Sequence, residues 1–565
     1  MTRSIEQEHT AADAVADRLR EAGVDYVFGL PGDDMALMVA LESRGIELVL
    51  AKDQRNAIYR AVAYARVSGR MGVCLIGKGP AITHAASGIL EALSSRVPVL
   101  ILTSGTPADE LGTGRFQELD ALEVLQPLVK WSVRVRPHTI ALDLDRAIAE
   151  VTEAPRGPVL VEIPEGLSLG PAAQTGKIAV IPGADRPATS GDEGVLALFR
   201  QSKRPVVLVG GGAHAVGDLV MTFLERMQAA GVCTASGRGI LAEEHSQFLG
   251  LAGLYFPAET KELLRSADLV IALGSRLEET ATFGWEEVLD TVPVVQVLDH
   301  PGEFFAPRSV YRVVGDAGTV LQRWLSALGN TQMEGRTEWL ARVLATRNAV
   351  LKRASAPHSR ASGGVAVAEV LAELDSVLPT ARLSVHENGL QDMWSYQFPY
   401  WIVRGDASCL VPSEQTPLGF GMAGALGAAL ADERPVVVIG GDGAFGAVGP
   451  DLAAFADCRS AMLVVVLSNG GFGWLEMNLR QLNGTAGRFT APSDAVRSLC
   501  EAFRIDYVKC EETGELKDRV AHAWRVAATG RAVVLDVLVS LHDAPPGMEL
   551  LAGDFPLALT TSGSA

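Results

Sequence analysis

The sequence predicts an α/β fold built from three doubly wound parallel sheets, on three observations. Short, near-continuously apolar runs rich in β-branched residues recur along the chain. Runs of that kind are strands buried on both faces, the mark of parallel sheet covered by helices. Each run is followed by a glycine-rich turn and then by apolar residues at helical spacing, which is the alternation of doubly wound sheets. The 565 residues also exceed what one hydrophobic core organises, so about two to four domains are expected.

In chain order, strands are read at Asp25–Gly29, Glu47–Ala51, Gly72–Ile76, Val97–Leu102 and Pro158–Ile163. A second group lies at Pro205–Val209, Leu269–Gly274 and Pro293–Val297, and a third at Pro435–Gly440, Leu463–Leu467 and Ala532–Val537. The first helix is legible residue by residue. Thr10 can cap it, Ala12, Val15, Leu19 and Ala22 form one face, and Gly23 can end it. Two stretches read as linkers, Gly166–Glu193 and Gly329–Gly364, the second containing a polar helix. They divide the chain into domains at residues 1–180, 190–335 and 360–550.

The formal net charge of -18 argues against nucleic acid or an anionic membrane surface as partner. No apolar stretch reaches the ~18 residues of a membrane span. Met1–His9 has no apolar core, so a signal peptide is not expected. Cys74, Cys233, Cys409, Cys458, Cys500 and Cys510 form no CxxC pair, which fits a reducing cytoplasm.

The sharpest motif lies in the last third. The run ending at Gly440 continues into Gly441-Asp442-Gly443-Ala444 and a helical pattern. The next strand ends in Ser468-Asn469-Gly470-Gly471-Phe472-Gly473. Asp442 and Asn469 thus each follow a strand, and that edge of a parallel sheet is where ligands bind. Mg2+ takes octahedral oxygen ligands, usually one or two carboxylates, and completes its shell with phosphate and water. Asp442 can give a carboxylate oxygen, Asn469 an amide oxygen and Gly471 its carbonyl. The amides of Gly443 and Ala444, opening a helix, suit phosphate oxygens.

This arrangement resembles the thiamine-diphosphate-binding motif of the pyruvate oxidase and acetolactate synthase family, and the resemblance extends over nearly the whole chain. Phe28-Gly-Leu-Pro-Gly32, Gly77-Lys-Gly-Pro-Ala-Ile-Thr-His84, Phe116-Gln117-Glu118, Gly157–Pro164, Asn388-Gly389-Leu390-Gln391 and Thr416-Pro-Leu418-Gly-Phe-Gly421 stand where the family has its recurrent segments. The resemblance implies a pyrimidine-binding domain, a Rossmann-like middle domain and a diphosphate-binding domain. It implies thiamine diphosphate and Mg2+ as cofactors, with Asp442, Asn469 and Gly471 on the metal. Pro31, Gly389, Gln391, Thr416, Gly441, Gly443, Ala444 and Phe472 are implied on the cofactor. Leu418 would prop the cofactor in its bent form, and the Thr416 carbonyl would accept from the 4'-amino group.

The departure lies at the activating acid. Most of the family places a glutamate on N1' of the aminopyrimidine; here Lys52-Asp53-Gln54 follows the second strand, so Asp53 takes that place. It is shorter by one C–C bond, roughly 1.5 Å, and a hydrogen bond tolerates only a few tenths of an ångström. Lys52 and Lys78 are two ammonium groups in loops expected near the reactive end, which would favour a second anionic group on the substrate. Lys52 could instead pair with Asp53. Asp33 and His84 are candidate proton carriers, and Gln117 points to the carboligase branch. Trp474 is expected in the substrate channel or in the domain core. Gly210-Gly-Gly212 suits a nucleotide turn, but no residue specifically supports FAD in the middle domain.

The implied activity is decarboxylation of a 2-oxo acid, followed by carboligation to a carbonyl acceptor or by protonation of the enamine, in a homodimer or homotetramer. A non-catalytic or regulatory paralogue is the competing class. A simple decarboxylase for an anionic substrate, or an FAD-dependent oxidase on the same scaffold, are further alternatives.

Overall fold

The apolar runs become the strands of three six-stranded sheets. The computed structural model describes residues 9–30, 32, 34–171, 192–214, 216–304, 310–329, 333–356, 363–483 and 494–547. In the first sheet are β1 (Tyr26–Gly29), β2 (Glu47–Leu50), β3 (Gly72–Ile76), β4 (Val99–Gly105), β5 (Trp131–Arg134) and β6 (Val159–Pro164). The second comprises β7 (Pro205–Val209), β8 (Ala230–Cys233), β9 (Phe248–Leu251), β10 (Leu269–Leu273), β11 (Val294–Leu298) and β12 (Val310–Val314). The third comprises β13 (Leu383–His386), β14 (Ser408–Leu410), β15 (Val436–Gly441), β16 (Met462–Ser468), β17 (Asp506–Cys510) and β18 (Ala532–Leu538).

The orders are β2-β1-β3-β4-β6-β5, β12-β11-β10-β7-β8-β9 and β14-β13-β15-β16-β18-β17. Every pairing between these strands is parallel. Each sheet has a reversal of winding between two neighbouring strands: between β1 and β3, between β7 and β10, and between β13 and β15. The crevice beyond the strand ends at such a reversal is where doubly wound sheets take ligands.

In the second sheet that crevice is used for packing. A Cβ on Gly210 would lie 2.5 Å from the Gly274 carbonyl oxygen, and one on Gly212 3.0 Å from the Gly274 Cα. The glycine run after β7 therefore lets two loops close on each other, a packing reason for the run that the nucleotide-turn reading did not include.

The chain forms two compact units. One contains the first sheet together with Gln415–Glu433 and Pro450–Ala454, two segments that lie inside the expected last domain. Their attachment has a steric cause. The helix Phe420–Ala431 presents buried Gly421, Ala423, Gly424, Gly427 and Ala428, and it packs on the helix Gln54–Ser68. A Cβ on Gly427 would meet the Arg60 carbonyl oxygen at 2.0 Å, so only glycine permits this approach.

The other unit contains the second and third sheets. A buried ion pair joins them: Arg238 Nε lies 2.7 Å from Glu243 Oε1, with both side chains fully buried. Arg238 also donates to the carbonyls of Ser395 and Trp401, and Glu243 accepts from the Val403 amide. The polar helix expected in the second linker is Thr337–Ala354. It is docked on the second sheet by Trp339, which donates to the Pro205 carbonyl, and by Arg347, which donates to that of Phe248.

Candidate active site

Asp442 and Asn469 follow adjacent strands, β15 and β16, whose ends are in register at Gly441 and Leu467. They stand beside the reversal between β13 and β15. Asp442 is held through both oxygens: Oδ1 accepts from the Gly443 amide at 2.9 Å and Oδ2 from the Gly470 amide at 3.0 Å. Burial raises its pKa, and those two amides pull it back. Asn469 Oδ1 accepts from the Gly471 amide at 2.8 Å, and Nδ2 donates to Gln391 Oε1 at 2.5 Å. Buried Gln391 in turn donates to the carbonyls of Ser540 and Leu541. This chain of bonds fixes which face of the Asn469 amide presents its oxygen, and that oxygen keeps a second lone pair.

Oxygen donors on two neighbouring strand ends suit Mg2+. The surroundings leave room for a diphosphate. A Cβ on Gly443 would meet nothing nearer than Phe472 at 3.8 Å, and one on Gly441 nothing nearer than 3.9 Å. Ala444 is buried and Phe472 is exposed. Ser468 donates to Asp536, which also accepts from Tyr507 at 2.7 Å. It thereby ties β16 to β18 and β17.

Asp392, three residues beyond Gly389, was not singled out by the sequence. It is 1 % exposed, and neither carboxyl oxygen has a hydrogen-bond partner of good geometry. Burial, with Glu387 and Asp442 nearby, pushes its pKa well above the usual range, and the Gly441 amide offers partial relief. A Cβ on Gly389 would approach Asp392 Oδ2 to 3.0 Å.

In the first unit, Asp53 is half-buried and caps the helix Gln54–Ser68, its Oδ1 accepting from the Arg55 amide at 2.8 Å. The cation beside it is Arg55, with Nε at 4.0 Å. Lys52 is exposed, and its backbone amide donates to Asp451 at 2.9 Å; the Lys52–Asp53 pairing considered from sequence is replaced by these contacts. Lys78 is no free ammonium either. It is 6 % exposed, pairs with Glu165 and lies 5.6 Å from the centre of the Phe116 ring.

Gln117 and Phe116 are exposed in a loop braced by Glu118, which accepts from the amides of Gly112, Gly114 and Arg115. Gln117 abuts Gly79, whose φ is +58° and whose missing Cβ would lie 2.7 Å from the Gln117 carbonyl oxygen. His84 is exposed on the helix Pro80–Ser94. Thr416 has φ +42°, an unusual conformation for a β-branched residue. Leu418 is 40 % exposed just before the helix Phe420–Ala431, so it is not a core leucine. Trp474 packs against the core of the second sheet. Pro31 and Asp33 lie outside the described residues.

Comparison with known proteins agrees with this layout. Residues 9–124 match the thiamine pyrophosphate enzyme N-terminal TPP binding domain. Residues 193–324 match the central domain and 387–537 the C-terminal TPP binding domain. The chain is 28 % identical over 527 residues to the acetolactate synthase large subunit of Parasynechococcus marenigrum, covering 89 % of this chain and 84 % of that one. It is 26 % identical over 554 residues to the acetolactate synthase large subunit of Lactococcus lactis, covering 95 % and 93 %. To the probable acetolactate synthase large subunit of Methanocaldococcus jannaschii it is 26 % identical over 575 residues, covering 95 % and 94 %. With three sheets in the same order as these three domains, the chain belongs to the thiamine-diphosphate-dependent enzymes of the acetolactate synthase and pyruvate oxidase type.

Proposed function

We propose that this enzyme decarboxylates a 2-oxo acid and joins the remaining fragment to a carbonyl acceptor, with thiamine diphosphate and Mg2+ as cofactors. The observation that carries the reading is the pair Asp442 and Asn469, oxygen donors on adjacent strand ends over an open glycine step. The cofactor, when bound, supplies the electron sink for the carbon that loses carbon dioxide. The protein supplies position and charge.

Asp442, Asn469 and the Gly471 carbonyl would hold the metal. The Gly443 and Ala444 amides would hold phosphate oxygens, and Gln391 keeps the Asn469 oxygen turned to its task. Leu418 would press the cofactor into its bent form, and the Thr416 carbonyl would accept from the 4'-amino group. Asp53 would share the proton at N1'. Its Oδ1 is taken by the Arg55 amide, which leaves Oδ2 as the oxygen for that role. Gln117, Lys52 and His84 are the candidates for substrate contact. Assembly as a homodimer or homotetramer in the cytoplasm is part of the proposal.

The test is carbon dioxide release from a panel of 2-oxo acids, with product analysis for a new C–C bond, in wild type, Asp53→Glu and Asp53→Ala. Release that needs both cofactors and fails in Asp53→Ala supports the reading. Tight cofactor binding without release from any acid would favour a non-catalytic paralogue, the class for which the capping role of Asp53 speaks.

A further inference from the structure

We propose that Asp451 is a positioning residue for Asp53: a buried carboxylate that anchors the loop from which the activating acid projects. The inference rests on the reading of Asp53 as that acid. Asp451 lies 398 positions from Asp53 in the sequence but in the same compact unit. It is 1 % exposed, and each of its contacts reaches the segment around Asp53.

Oδ1 accepts from the Lys52 backbone amide at 2.9 Å and from Arg60 Nη2 at 2.5 Å. Oδ2 accepts from Asn56 Nδ2 at 2.8 Å. Arg60, also buried, passes the constraint on, donating through Nη1 to the Leu50 carbonyl at 2.6 Å. One carboxylate thus fixes the end of β2, the residue just before Asp53, and the first two turns of the helix that Asp53 caps. Asn56 and Arg60 are one turn apart on that helix and face the same way. The close crossing at Gly427 seats the same Arg60 backbone.

A short acid makes such a clamp consequential. Aspartate has one side-chain torsion fewer than glutamate and less reach, so its carboxylate goes where the backbone puts it. A displacement of about 1 Å at a reacting group can cost on the order of 100-fold in rate. Hydrogen bonds to a charged group, as here, are worth roughly twice a neutral one.

Two measurements test this. In cofactor-free protein, hydrogen exchange of peptides spanning residues 50–54 reports the anchor. Asp451→Ala should speed exchange of the Lys52 amide by about tenfold or more, the factor for losing a hydrogen bond to a charged group. In protein saturated with thiamine diphosphate and Mg2+, deuterium exchange at the thiazolium C2, read by NMR after acid quench, reports activation without any substrate. Asp53→Ala should slow it by about 100-fold or more, and Asp451→Ala by roughly 10- to 100-fold.

Because Asp451→Ala strands a buried arginine, the double variant Arg60→Met/Asp451→Leu is measured alongside it. Apolar replacement of a buried ion pair is often neutral for folding, yet it releases both backbone anchors. Slow C2 exchange in that folded variant supports the positioning role. Wild-type exchange in both Asp451 variants, with Asp53→Ala slow, overturns the role of Asp451 and leaves Asp53 standing. Wild-type exchange in Asp53→Ala overturns the reading of Asp53 and this inference with it.

Discussion

Replacing Asp392 by asparagine is expected to change how the stability of the cofactor-free protein depends on pH. Asp392 is buried, its oxygens lack good partners, and Glu387 and Asp442 are near. Each of these disfavours the charged form, so the folded-state pKa lies well above the usual aspartate value. The sign follows from proton counting. Between the unfolded and folded values, the folded chain keeps a proton that the unfolded chain has released. Stability therefore falls as pH rises through that window, by about 1.36 kcal/mol per pH unit, and levels off above the folded value.

Asparagine has nearly the same shape and does not titrate. Whatever constant offset it introduces, the stability gap between Asp392→Asn and wild type should widen by about 1.4 kcal/mol per pH unit from the carboxylate range upward, then flatten. The pH of flattening reports the folded pKa directly. Urea unfolding at a series of pH values measures the gap. A constant gap from pH ~4.5 to ~7.5 would show that Asp392 carries its charge at no cost, and the assignment of a neutral acid beside the candidate diphosphate site would fail.

Asp442→Ala should weaken Mg2+-dependent thiamine diphosphate binding by more than about 10-fold, and Gln391→Ala by about 10- to 100-fold, since Gln391 orients a candidate metal ligand. Calorimetric titration with and without Mg2+ checks both, and equal affinity in Gln391→Ala would remove its role. Leu418→Ala should cut turnover by about 10-fold or more while lowering stability by no more than about 1 kcal/mol, because the side chain is 40 % exposed; a large stability loss with normal turnover would make Leu418 a packing residue. Arg238→Met leaves Glu243 buried without its ion-pair partner and should cost about 3–5 kcal/mol in urea unfolding. An unchanged midpoint would refute the view that this pair joins the second and third sheets.

The fold was legible where strands are buried on both faces. β3, β7, β10, β15 and β16 are continuous apolar runs with no exposed position, and local composition announces them. β5 is half-buried at all four residues, and β17 reads Asp506-Tyr-Val-Lys-Cys. These are edges of their sheets, where one side faces away from the core and the apolar run breaks up. β13 escaped for another reason: Ser384 and His386 are polar and fully buried, held by Trp401 and Ser395. A buried polar residue inside a sheet has no signature in a hydrophobicity pattern.

The candidate site divides along the same line. Asp442 and Asn469 stand out in the sequence as candidate ligands because parallel sheets take ligands beyond their strand ends, and strand ends follow from the runs. What neutralises or holds a site residue need not lie near it in sequence. Lys78 was correctly placed in the loop after β3, and two lysines near a reactive end suggested an anionic substrate. The partner that matters, Glu165, follows β6, 87 positions away. Once that ion pair forms, the cation is compensated inside its own unit. Lys52, the other lysine, is exposed, and there solvent and salt screen the charge. Lysine counting leaves out that compensating carboxylate, which comes near only when β3 and β6 join one sheet.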